Sequence, residues 1–278
     1  MESTNQLQKD APIGVFDSGV GGLTVFREIM QQIPNEKMIY FGDTARVPYG
    51  SKSKETITRF SRQIVRFLRT HHVKTIVVAC NTASAYALEA LQAEFDIPII
   101  GVVEPGAKVA AGTTKNGNIG VIATEGTIGS RIYNTYINRL NPDATIYGKA
   151  CPLFVPLVEE GWLNDSVTHE VASRYLAQLT DKDIDTLILG CTHYPLLRST
   201  IQKVVGGRVT LVNPAYETAV TLQHLLSDMD LLNPKAPSPG EQQYQFFVSD
   251  KAERFLEFAN SIIEHGIPTA QTIQIEEY

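Results

Sequence analysis

The spacing of apolar positions divides the chain into short aliphatic runs alternating with helical periods. Ile13-Gly-Val-Phe-Asp17 is an apolar run, and Leu23, Phe26, Ile29, Met30 and Ile33 then recur at helical spacing. Ser18-Gly-Val-Gly-Gly22 between them reads as a tight loop. The same reading predicts a strand over 37–42, an exposed loop over 43–50 whose Pro48 and Gly50 exclude regular structure, and a helix over 53–70 carried by Ile57, Phe60, Ile64, Phe67 and Leu68. Thr75 to Ala79 is apolar on both faces, the pattern of a parallel strand covered by helices on each side. A helix beginning near Ala83, a strand over 97–102 and a short helix or turn opened by Glu104-Pro-Gly106 follow.

The pattern then restarts. Ile119-Gly-Val-Ile-Ala-Thr124 repeats Ile13-Gly-Val-Phe-Asp-Ser18 at an offset of 106 (119 − 13), and Thr186-Leu-Ile-Leu-Gly-Cys191 repeats Thr75-Ile-Val-Val-Ala-Cys80 at an offset of 111 (191 − 80). Around these lie a predicted strand at 145–149, helices at 154–160 and 167–179, a helix at 196–205, a strand at 209–212 and a helix at 215–228. A polar, Pro- and Gly-rich stretch over 232–243 reads as a surface linker. The tail then carries a strand at 244–248, a helix at 251–265 and a weak strand at 272–275, expected to pack back on the first half. An internal duplication of alternating strands and helices predicts an α/β protein of two pseudo-symmetric lobes, each a mostly parallel sheet flanked by helices. Residues 1–101 with 213–278 are expected to form the first lobe, and 102–212 the second.

Composition adds limits. A chain of 278 residues with 43% hydrophobic and 19% charged residues is long enough to bury a sizeable core and is neither fibrous nor disordered in character. Its formal charge of −6 argues against a nucleic-acid binder. No apolar run approaches the roughly 18 residues of a membrane span, and the opening ten residues lack the apolar segment of a signal peptide. The expected compartment is the cytoplasm, where three widely spaced cysteines stay as thiols.

Candidate chemistry sits at predicted strand ends: Asp17, Ser18, Cys80, Thr124 and Cys191. A lone cysteine is most often a small buried hydrophobe, and Cys151, beside Pro152, is read that way. Cys80 is followed by Asn81, Thr82 and Ser84 at a helix start, where the helix dipole favours a thiolate. Cys191, followed by Thr192 and His193, repeats the arrangement. His193 is placed to exchange protons with that thiol, and Asp17 either caps the following loop or takes part in catalysis. The glycine loop lacks the last glycine of the dinucleotide fingerprint and is read as an anion cradle for a small carboxylate. A zinc site of Cys80, Cys191 and His193 is disfavoured by the lack of a CxxC and a fourth ligand.

Six motifs together carry a family resemblance: Gly14-Val-Phe-Asp-Ser-Gly-Val-Gly-Gly22, Gly42-Asp-Thr-Ala-Arg-Val-Pro-Tyr-Gly50, Ala79-Cys-Asn-Thr-Ala83, Gly101-Val-Val-Glu-Pro-Gly106, Val155-Pro-Leu-Val-Glu159 and Gly190-Cys-Thr-His-Tyr-Pro195. In these the chain resembles the glutamate racemases, cofactor-independent enzymes that supply D-glutamate for peptidoglycan. The paired-cysteine motifs alone are shared with aspartate racemases. The resemblance implies an active site between the lobes, with no cofactor and no metal. Cys80 would deprotonate D-glutamate and Cys191 L-glutamate, assisted by Asp17 and His193 respectively, with Glu159 as a further helper beside His193. Ser18, Pro48, Tyr49, Gly50, Asn81, Thr82, Thr124, Thr127 and Thr192 match positions that hold the amino acid. It also implies a homodimer, the common state in the family. The ten residues before Ala11 leave little room for the N-terminal extension some relatives have in connection with activation. An aspartate or broad-specificity racemase, and a binding protein whose cysteines sense redox state, stay open as alternatives.

Overall fold

The computed structural model describes residues 8–236, 238, 242–264 and 266–278. In chain order the first elements are β1 (Ile13–Asp17), α1 (Leu23–Gln32), β2 (Met38–Gly42), α2 (Lys54–Thr70), β3 (Thr75–Val78), α3 (Asn81–Tyr86), α4 (Leu88–Glu94), β4 (Ile99–Gly101) and α5 (Val103–Thr113). The second set is β5 (Asn118–Ala123), α6 (Glu125–Ser130), α7 (Ile132–Leu140), β6 (Thr145–Ala150), α8 (Phe154–Glu159), α9 (Ser166–Thr180), β7 (Thr186–Gly190), α10 (Arg198–Val205), β8 (Thr210–Val212) and α11 (Pro214–Asp228). The tail adds β9 (Tyr244–Val248), α12 (Ala252–Ile262) and β10 (Gln271–Thr272).

Two all-parallel sheets result, in the orders β10-β9-β2-β1-β3-β4 and β6-β5-β7-β8. The duplication is visible here: β2-β1-β3-β4 and β6-β5-β7-β8 are the same order, so β1 answers to β5 and β3 to β7. In both sheets the order reverses beside the first strand, and loops at the carboxyl ends of such strands are where doubly wound sheets build sites. The chain passes from the first sheet to the second after β4 and returns after β8. The tail does pack on the first half, since β9 pairs with β2 from Met38↔Tyr244 to Gly42↔Val248.

Strand alternation sorts the core onto both faces of each sheet. On the first, Ile13, Val15, Met38 and Tyr40 pack with α1, α11 and α12, whereas Phe16, Ile39, Phe41, Ile76 and Val78 pack with α2, α3 and α4. On the second, Ile122, Leu187 and Leu189 face α8, α9 and α10, and Ile119, Val121 and Ile188 face α5 and α7. Burial on both faces explains why these strands read as continuous apolar runs rather than alternating ones.

Several boundaries differ from the sequence reading. The 43–50 loop ends in one 3₁₀ turn, Tyr49–Ser51, despite Pro48 and Gly50. The helix after Cys80 starts at Asn81, because Cys80 itself is the N-cap and accepts from the Ala83 amide. The strand expected over 97–102 shrinks to Ile99–Gly101, since Pro98 has no N–H to donate and Val102 already caps α5. The weak strand at 272–275 is only Gln271–Thr272, followed by a 3₁₀ turn at Ile275–Glu277. The last helix stops at Ile262; its expected end, His265, and part of the 232–243 linker lie outside the described residues. Helices α6 and α7 were not anticipated, although Ile132, Tyr133, Tyr136, Ile137 and Leu140 carry the helical spacing.

Candidate active site

Cys80 stands two residues past the end of β3 and Cys191 directly after β7, the two topologically equivalent strands, and they are only 5% and 6% exposed. The Cys80 sulfur lies 3.5 Å from Ser18 Oγ and 3.5 Å from the Ala83 amide. The Ala83 amide donates to the sulfur and favours a thiolate, as the sequence reading expected of a helix start, while the thiol donates to Ser18 Oγ. The balance nevertheless goes the other way: burial, aided by the charge of Asp17, pushes the Cys80 thiol up to about 12. The short helix is outweighed by desolvation, which favours the thiol form of Cys80.

Asp17 is 1% exposed at the end of β1, and burial raises its carboxyl above the usual carboxylate range, against the opposing charge of His193 and the amides of Gly22, Gly19 and Ser18. The Gly19 N–H donates to Oδ2 at 3.0 Å, and Oδ1 has no hydrogen-bond partner in the protein. This corrects the anion-cradle reading of Ser18-Gly-Val-Gly-Gly22. The loop amides serve the chain's own carboxylate, and the glycines serve packing: a Cβ on Gly21 would fall 2.4 Å from His193 Nδ1, and one on Gly22 would fall 2.5 Å from the Asp17 Cβ.

On the other wall, Cys191 Sγ lies 3.8 Å from His193 Nδ1, and His193 Nε2 lies 3.1 Å from Glu159 Oε1 at the end of α8. Burial alone would push the imidazole down. Hydrogen bonds to Cys191 and Glu159 and the charges of Cys191 and Asp17 overcome it and carry His193 up to about 10. The same bond, against partial burial, holds Glu159 below its ordinary value. The sulfur of Cys80 therefore faces a carboxyl group and that of Cys191 an imidazolium.

Side chains from both halves meet around the thiols. Thr82, beside Cys80, lies 2.8 Å from Thr124 Oγ1 and 3.2 Å from Thr127 Oγ1, and Thr124 caps α6 through the Thr127 amide. Thr24 of α1 donates to the carbonyl of Thr192 at 2.9 Å. Asn81 Nδ2 donates to Tyr133 Oη at 2.8 Å. Gly50 abuts Thr124, where a Cβ would come within 2.8 Å.

That contact depends on the 43–50 loop, which a buried cluster shapes: Asp43 accepts from Arg46 Nε, Ser249 Oγ and the Tyr49 hydroxyl, and Arg46 lies 4.0 Å over the Phe60 ring. The Val47–Pro48 peptide is cis. Of the residues expected to hold the amino acid, Ser18, Gly50, Asn81, Thr82, Thr124, Thr127 and Thr192 gather at this junction. Tyr49 is buried with its hydroxyl committed to Asp43, and Pro48 is exposed.

Cys151 is buried away from this polar setting, its thiol 3.7 Å from its neighbour's carbonyl at Lys149 and pushed up to about 12 by burial. Among the described residues no cluster of three or more His, Cys, Asp or Glu side chains is arranged to hold a metal ion. A surface cleft of about 520 Å³ is lined by Gly19, Val20, Val158, Glu159, Phe255 and Phe258 among others, but by neither thiol. It touches the site only at its edge, through Glu159 and Gly19. No helix among the described residues is long and apolar enough to cross a membrane.

Sequence reading missed Tyr133, Thr24, Asp43, Arg46 and Ser249. Tyr133 and Thr24 sit at buried positions of helices, where a polar tip on an otherwise core residue gives no signal of its own.

Comparison with known proteins identifies the family. The Asp/Glu/Hydantoin racemase family model matches residues 13–222. The glutamate racemase of Geobacter metallireducens is 49% identical over 264 residues, spanning 95% of this chain and 97% of that protein. Among solved structures, glutamate racemase isoform RacE1 from Bacillus anthracis superposes with a TM-score of 0.91 at 41% identity, covering 96% of this chain and 98% of its own. Glutamate racemase from Francisella tularensis, solved in complex with D-glutamate, gives 0.89 at 38% identity, covering 97% and 100%. With the fold and nearly the full length shared at this identity, the chain belongs to the glutamate racemases, within the Asp/Glu/Hydantoin racemase family.

Proposed function

We propose that this chain interconverts L- and D-glutamate by a two-base mechanism in which Cys80 and Cys191 address opposite faces of the substrate Cα, with no cofactor. The observation that carries the reading is the placement of two buried thiols after equivalent strands β3 and β7, each with its own acid–base neighbour. Supporting the substrate, the Francisella tularensis relative was solved with D-glutamate and the Escherichia coli relative, 31% identical, with L-glutamate.

A Cα proton is far less acidic than a thiol, so a thiolate near its ordinary pKa of about 8.5 cannot remove it unaided. The hydroxyls of Ser18, Thr82, Thr124, Thr127 and Thr192, with the Asn81 amide, supply donors for charge that builds on the α-carboxylate as the proton leaves. The substrate ammonium brings a positive charge into a site where Cys80 is held as a thiol by burial and Asp17, which eases its deprotonation. Cys80 then takes the proton of D-glutamate while Cys191, with His193 3.8 Å from its sulfur, delivers one to the opposite face. L-glutamate runs the reverse path. For either direction one cysteine must act as the thiolate base while the other supplies the proton as a thiol.

Cys80 and Cys191 are almost fully buried, which supports substrate entry by separation of the two halves. We assign residues 1–101 with 213–278 to one lobe and 102–212 to the other, working as a cytoplasmic homodimer that supplies D-glutamate for peptidoglycan.

The test incubates metal-free, pyridoxal-free protein with L-glutamate and, separately, L-aspartate. D-glutamate is expected to appear and D-aspartate to lag far behind. Equal turnover of both would overturn the substrate while leaving the two-thiol chemistry intact; no turnover of either would sink the activity.

A further inference from the structure

We propose that Tyr133 is a positioning residue that holds the two cysteine turns in register across the lobes. The inference rests on the two-thiol reading above and deepens it. Tyr133 lies on α7, is 2% exposed, and belongs by its ring to the second-half core with Val103, Ala107, Ile137 and Ile188. Its hydroxyl leaves that core and accepts from Asn81 Nδ2 at 2.8 Å, and Asn81 is itself 3% exposed. Asn81 directly follows Cys80.

The ring makes the second contact. Gly190 directly precedes Cys191, and a Cβ placed there would fall 3.1 Å from Tyr133 Cε2. One rigid side chain thus bears on the residue after one thiol and the residue before the other. Among the described residues, no other hydrogen bond of an aromatic side chain joins the two halves so close to both cysteines.

The Asn81 carboxamide has two N–H groups, so one can serve Tyr133 while the other serves a substrate carboxylate. Fixing the first sets the direction of the second. Because carboxylate charge grows as the Cα proton leaves, an interaction aimed by Tyr133 strengthens in the transition state and should act on kcat rather than KM.

Tyr133→Phe keeps the ring on Gly190 and removes only the hydroxyl. We expect kcat to fall about tenfold in both directions with KM within about twofold, the upper range for one lost hydrogen bond. The discriminating measurement is a double-mutant cycle with Asn81→Ala, read as deuterium incorporation at Cα. If Tyr133 acts through Asn81, adding Tyr133→Phe to Asn81→Ala costs nothing further. A purely structural role would make the two losses multiply, and that result overturns the proposal, as does wild-type kcat in Tyr133→Phe. Tyr133→Met, which fills similar space without a hydroxyl, repeats the cycle should the phenylalanine variant fold poorly. Cys80→Ser and Cys191→Ser run alongside: if they retain wild-type exchange, the two-thiol reading fails; if they lose it while Tyr133→Phe does not, only the Tyr133 proposal falls.

Discussion

The Cys80 wall and the Cys191 wall occupy the same place in the repeated fold and differ in charge. Cys80 caps a six-residue helix, touches Ser18 and the Ala83 amide, and feels the charge of the buried Asp17 carboxyl. Cys191 leads into a 3₁₀ turn and has an imidazole, carried to about 10 and anchored by Glu159. Duplication supplies two equivalent strand ends; divergence at the neighbouring positions, Asp17 against Ala123 and Thr82 against His193, supplies unlike neighbours. Two bases working on opposite faces of one carbon need not be set up alike.

The largest expected effect removes a wall outright. Cys80→Ser and Cys191→Ser should each lower racemisation by about 10³-fold or more, the scale of lost general acid–base catalysis. Equal activity in either variant would mean that the wall is not catalytic. Next come the helpers: Asp17→Asn and His193→Asn should each cost about 10²-fold by the same reasoning. Enantiomers have equal free energy in water, so kcat/KM must stay equal in the two directions for every variant. The asymmetry therefore belongs in kcat: Asp17→Asn should depress kcat more from D-glutamate, and His193→Asn more from L-glutamate. Identical kcat changes in both directions would erase the division of labour.

A smaller effect appears in stability against pH. Folding raises His193 from 6.5 to about 10, so its contribution is fully present below about 6.5 and is lost as pH rises through about 10. Cys80, raised from 9.0 to about 12, contributes in the same sense at higher pH. The urea midpoint should fall between pH 6.5 and pH 10, and His193→Asn should shrink that fall; an unchanged difference would contradict the pairing of His193 with Cys191 and Glu159. The smallest effect is at Cys151. Cys151→Ser should leave activity near wild type and cost about 1 kcal/mol of stability for the buried hydroxyl.

Much of this was legible in the residues. The two offsets, at Ile13/Ile119 and Cys80/Cys191, anticipated the matching strand orders, and runs such as Thr75–Val78 anticipated sheets covered on both faces. The cysteines, Asp17 and His193 were legible because chemistry-bearing side chains at strand ends stand out from an aliphatic background. The protonation of Cys80 was not, since the helix start next to it is visible in sequence while the depth of its burial is set by packing from both halves. Nor was the purpose of Gly21, which makes room for a histidine 172 positions away (193 − 21). Tyr133 looked like core because most of it is core.

The central claim is that two thiols act on opposite faces, and position-resolved labelling tests it most directly. L-glutamate is converted in deuterium oxide to a small extent, and both enantiomers are then recovered. The account predicts that D-glutamate carries deuterium at Cα while the remaining L-glutamate carries hardly any, because the base that removes the proton is not the acid that replaces it. D-glutamate retaining the original proton, or equal label in both enantiomers from the outset, would show a single base and contradict the account.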